Sequence, residues 1–120
     1  MKGVARRTIT LQRENGEVLC ERCVLADTFW TRFRGLLGRK ELAKSEGLLI
    51  RPASSVHTLF MRFPIDVVFL DGDHRVVKVV PGLRPWRLTA ARRAGRTLEL
   101  SAGACARAGL AVGERLVSYA

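Results

Sequence analysis

Polar and apolar residues alternate along Thr8-Ile9-Thr10-Leu11-Gln12, the period-2 pattern of a strand with one buried face. Asn15-Gly16 follows, a dipeptide suited to a tight hairpin, and Val18 to Leu25 returns as the second strand. The period then changes. Asp27 or Thr28 offers a helix N-cap, and Phe29, Phe33, Leu36 and Leu37 recur at helical spacing. Gly35 and Gly38 keep that helix short, and residues 41–47 read as a polar, irregular connection. Gly47 to Arg51 predicts a third strand closed by Pro52. Val56 to Phe60 continues the sheet, with Pro64 at an edge or a bulge.

Asp66–Leu70 and Arg75–Val80 form a hairpin through Asp71-Gly72, and their near-continuous apolar composition predicts burial on both faces. Residues 81–94, with two prolines, a glycine and Trp86, read as a loop. Thr97 to Leu100 is a further strand, Ala102 to Ala108 a short helix stopped by Gly109, and Arg115 to Tyr119 the last strand. The pattern predicts a mainly β fold, a compact small barrel or sandwich with one or two short α-helices, as a single domain over residues 1–120.

Size and charge narrow the picture. A chain of 120 residues buries about two-thirds of its unfolded surface, so one core suffices without staples. No segment reaches the ~20 apolar residues that span a bilayer, and no apolar run follows the basic N-terminus. These features predict a soluble cytoplasmic monomer with no membrane association. Net charge is +10, and arginine dominates the basic residues. They are scattered, apart from Arg84-Pro85-Trp86-Arg87 and Arg92-Arg93-Ala94-Gly95-Arg96, and no nucleic-acid-binding motif accompanies them. Non-specific contact with nucleic acid is expected at low salt.

The cysteines are Cys20, Cys23 and Cys105, an odd count that points to free thiols. Cys20-Glu21-Arg22-Cys23 has the spacing of a redox or zinc pair, but a regular strand would send the two side chains to opposite faces. No metal and no other cofactor is expected.

Four segments, in order, resemble the domain-of-unknown-function family 192. They are Ala26-Asp27-Thr28 with Arg32-Phe33-Arg34-Gly35-Leu36-Leu37-Gly38-Arg39; Gly47-Leu48-Leu49-Ile50; Phe60-Met61 with Pro64-Ile65-Asp66-Val67-Val68-Phe69-Leu70-Asp71; and Leu98-Glu99-Leu100-Ser101-Ala102-Gly103 with Gly109 to Glu114. The resemblance covers residues 24–117. It implies a compact, mainly β domain and no assigned activity. Phe60-Met61 stands where many relatives have Trp-Met, and Gly113-Glu114 where Gly-Asp is usual.

Asp66 is the ionisable residue in an apolar run, and burying its carboxylate is costly unless something pairs it. Its expected holder is an arginine of the 32–39 segment, Arg32 first, or nearby backbone N–H groups. Arg32 and Arg39, seven residues apart, could instead present two guanidiniums to an anion. His57 can serve as a base, and Phe60 and Met61 can line an apolar cleft. The leading expectation is a non-catalytic binding module whose cleft gathers Arg32, Arg39, His57, Phe60, Met61 and Asp66 around a small anionic ligand or a peptide or sugar end. The alternatives are an enzyme using Asp66 and His57 for acid–base chemistry, and a basic protein docking on nucleic acid or an acidic partner.

Overall fold

A computed structural model describes residues 7–26, 42–59 and 61–119. The helix expected after Asp27 lies outside them, as do Arg32, Arg39 and Phe60. The strands are β1 (Thr8–Arg13), β2 (Val18–Ala26), β3 (Glu46–Ile50), β4 (Ser55–His57), β5 (Ile65–Leu70), β6 (Val76–Leu83), β7 (Leu88–Ala90), β8 (Arg96–Ser101) and β9 (Leu116–Tyr119). Among the described residues one helix, α1 (Ala104–Ala108), precedes β9.

Seven strands form one sheet in the order β6-β5-β8-β3-β2-β1-β9. Only β2 and β3 run parallel; the other neighbours are antiparallel. The sheet curls into a half-barrel, so its two edges approach each other. Val76 N donates to Glu114 O at 2.8 Å, Gly113 N to Val76 O at 2.7 Å and Leu116 N to His74 O at 2.9 Å. These bonds join the start of β6 to the start of β9 and cover backbone groups that an open edge would expose.

Both faces of the curled sheet are packed, because side chains alternate along each strand. Leu11, Leu25, Leu49, Val68, Leu98 and Leu116 fill the concave interior with Cys105 of α1. Leu48, Ile50, Ile65, Val67 and Phe69 face the other way and are covered by Leu42, Val56, Met61 and Phe63. Every residue of β5 is therefore buried, as its apolar run predicts.

Four expectations are corrected. Strand β6 is not buried on both faces; it is an edge strand, and several of its residues reach solvent. Val56 and His57 do not continue the main sheet, since β4 pairs with β7 in a separate two-stranded sheet. Part of the expected 81–94 loop is strand, because β6 runs on to Leu83 and Leu88–Ala90 forms β7. Finally, Cys20 and Cys23 share a face. Ile9 pairs with Cys23 and Leu11 with Cys20, so β2 carries one extra residue there. This bulge exposes Glu21 and Arg22 in succession and turns both cysteines into the interior.

Candidate anion-binding site

Asp66 lies on β5 facing the concave core and is wholly buried. Its Oδ1 accepts from Gly82 N at 2.9 Å and from Gly103 N at 3.1 Å, and its Oδ2 accepts from Cys105 N at 2.9 Å. Gly103 is the N-cap of α1 and has no capping side chain of its own, so Asp66 caps the helix from across the fold. The Cys105 thiol also hydrogen-bonds Asp66. Burial first, then the carboxylate's charge and this bond, pushes that thiol up to about 12. Three backbone N–H groups thus hold the carboxylate, the second of its two expected kinds of partner.

Two other members of the expected cleft, Met61 and His57, lie among the described residues. Met61 packs into the outer-face core with Phe63 and Val56, while His57 is exposed on β4. The paired thiols are equally enclosed. Cys23 is pushed far above the ordinary thiol range by its hydrogen bond to Cys20, then by desolvation, which keeps it a neutral core group. All three cysteines are free and buried.

An opening does form where three segment ends meet. Arg51 follows β3, Gly72 sits at the tip of the β5–β6 turn, and Gly95-Arg96 begins β8. Gly95 N donates to Leu70 O at 2.9 Å and Ala53 N to Gly95 O at 3.0 Å, which fixes these ends against one another. Arg51, Pro52, Gly72, Gly95 and Arg96 line a recess of about 420 Å³ that opens to solvent. This lies within the ~300–1,000 Å³ range of small-molecule sites.

The recess is electropositive. Arg96 Nη1 donates to Gly72 O at 2.7 Å, while Arg96 Nε is buried and has no hydrogen-bond partner among the described residues. The His74 imidazole is held below the usual histidine range, first by desolvation and then by the charges of Arg96, Arg51 and Arg115. Asp71 opposes them only weakly at His74. Its Oδ1 is engaged by Asp73 N at 2.8 Å and Arg75 N at 3.0 Å, the Asx bonding its turn position suggests. These bonds, led by that from Arg75, hold its carboxyl below the usual range. His74 itself adopts the left-handed region, with φ 64°.

Sequence reasoning missed this recess. Arg51 and Arg96 stand 45 positions apart, and neither has a motif around it. Arg96 was visible only as the last member of a basic cluster. The available signal was the placement of arginine beside glycine or proline at strand ends, in Arg51-Pro52 and Gly95-Arg96.

A half-barrel with a helix capped from β5 and a cationic recess at one end defines a class of small β domain. Residues 10–118 match the family DUF192, described as an uncharacterized ACR, and the chain belongs to that family. It is 39% identical over 95 residues to a UPF0127 protein of Pyrococcus furiosus, covering 76% of this chain and 81% of that one. A UPF0127 protein of Thermococcus sibiricus is 36% identical over 81 residues, 64% of this chain. The match spans about half of that relative's length, 52%. Among solved structures, a protein of unknown function from Novosphingobium aromaticivorans DSM 12444 is similar at 26% identity. Its TM-score is 0.78, with 98% of this chain and 88% of that one covered. A candidate transcription regulator from Sinorhizobium meliloti 1021 shares the fold, with a TM-score of 0.81 at 23% identity over 95% of this chain and 94% of that one. No helix among the described residues is long and apolar enough to cross a membrane.

Proposed function

We propose that this chain is a non-catalytic binding module for a small anion carrying phosphate or carboxylate oxygens, held between Arg51 and Arg96. The observation that carries this reading is the solvent-open recess lined by two guanidinium side chains, Arg51 and Arg96. A guanidinium at such an opening can make charge-assisted, often bidentate bonds to a phosphate or carboxylate. Glycine at positions 72 and 95 lets a ligand approach the backbone closely. The lowered His74 is in keeping with this reading, since desolvation and then the charges of Arg96, Arg51 and Arg115 hold it down. The burial of Asp66 and the three backbone N–H bonds it accepts give the acid–base alternative less support. A reducing cytoplasm, where three buried thiols stay reduced, suits the module.

Calorimetric titration with inorganic phosphate tests the proposal. Arg96→Gln should weaken binding about tenfold or more, as loss of a charged hydrogen bond does. The Arg32→Gln and Arg39→Gln variants separate the two possible arginine sites. Binding that survives Arg96→Gln but fails in those variants would move the ligand to the cleft expected from the sequence. Absence of phosphate and carboxylate binding to the wild type would end the proposal.

A further inference from the structure

The β6–β7 connection presents a second feature, separate from the arginine recess. Thr58, wholly buried after β4, ties this turn down from several sides. Its N–H donates to Arg87 O at 2.9 Å and its carbonyl accepts from Trp86 N at 2.9 Å. Its Oγ1 donates to Arg84 O at 2.6 Å and accepts from Arg87 N at 2.9 Å. These bonds hold Trp86 at φ 64°, a conformation that a bulky side chain rarely adopts without being forced into it. The outcome is an indole that is 56% exposed on a fixed backbone, with exposed Arg84 and Arg87 on either side. Leu88, next in the chain, is 75% exposed.

The chain segments that carry this turn are basic. Residues 74–98 contain seven arginines or lysines and no carboxylate, and residues 47–65 contain Arg51 and Arg62 and no carboxylate. Both strands of the β4–β7 sheet lie within these acid-free segments. The occupant these groups suit is a polyanion that offers a flat face to the exposed Trp86. We infer that the Arg84–Arg87 turn docks single-stranded nucleic acid, with a base stacked on Trp86 and flanking phosphates on Arg84 and Arg87. Every base has a face that can stack, so this contact would be tolerant of sequence. An anionic bilayer fits less well, because surface-lying elements need a broad apolar face, and here arginines interrupt the exposed Trp86 and Leu88. This inference does not depend on the recess.

The test is fluorescence anisotropy of a labelled oligothymidylate of about 12 nucleotides, long enough to span a site of this kind. Salt is varied between about 50 and 200 mM. Trp86→Ala should weaken binding about tenfold at every salt concentration and leave the salt slope unchanged, while Trp86→Phe retains most of the affinity. Arg84→Gln and Arg87→Gln should each reduce the slope by about 0.7, the contribution of one phosphate contact on a single strand. Unfolding curves matching the wild type would show that the variants are folded. Equal binding by Trp86→Ala would overturn the inference. So would anionic phosphatidylserine vesicles that bind through Trp86 while the oligonucleotide does not.

Discussion

Asp66 joins three parts of the chain that are remote in sequence: the Gly82 segment of β6, the helix cap at Gly103 and the first turn of α1 at Cys105. Its removal leaves three backbone donors without their acceptor, that of Cys105 in the buried interior. Asp66→Ala should therefore cost about 3 kcal/mol or more in a urea unfolding experiment, because a buried network that loses one partner keeps the full desolvation cost of the rest. Asp66→Asn should recover only part of this, since its amide nitrogen cannot accept from an N–H. Stability equal to wild type in Asp66→Ala would show that the carboxylate is not an anchor. The burial of Asp66 was legible in the sequence, because Ile65, Val67, Val68 and Phe69 surround it. Its partners were not legible. Backbone N–H groups carry no residue letter, so an arginine looked like the natural counterpart.

The alternation along β1 and the apolar run of β5 announced their strands, and most element positions follow the sequence pattern closely. The departures arise from single residues and from sheet order. One extra residue in β2 brings Cys20 and Cys23 to the same face, and no local signal distinguishes that bulge from a regular strand. The place of β6 at an edge depends on β8 inserting between β5 and β3, which composition cannot reveal. The chain end of β1 shows how elements are then locked together. Arg13 donates through Nε to the Glu114 carboxylate and through Nη1 to Ala108 O at the end of α1, and it meets Glu17 at 3.1 Å. The bond from Arg13, helped by Ala111 N–H, holds the Glu114 carboxyl below the usual glutamate range. A carboxylate lowered on folding stabilises above its unfolded value, near 4.5, and that contribution is lost as pH falls through the folded value. Glu114→Gln should accordingly melt a few degrees below wild type at neutral pH, with the two melting curves converging in acid. A constant gap from pH 7 downward would place the effect in packing instead of charge.

At the scale of the whole molecule, the curled sheet collects distant arginines at one end, where the turns of β5–β6 and the starts of β8 and β9 meet. The recess depends on this closure, so it was hidden from any reading confined to neighbouring residues. The sequence reading expected an anionic ligand held by Arg32 and Arg39, which lie outside the described residues, whereas the proposal places it at Arg51 and Arg96. His74 supplies a probe inside the field. Its folded value lies below 6.5, so protonation of the unfolded chain wins first, and stability falls as pH drops below about 6.5 until the folded value is passed. An anion bound between Arg51 and Arg96 would offset the arginine charges that add to desolvation there and raise that value. The most direct measurement is an NMR titration of the two histidines with and without inorganic phosphate. The account predicts an upward shift for His74 with phosphate, abolished in Arg96→Gln, and no shift for His57. A His74 titration that phosphate leaves unmoved, or that moves equally at His57, would contradict it.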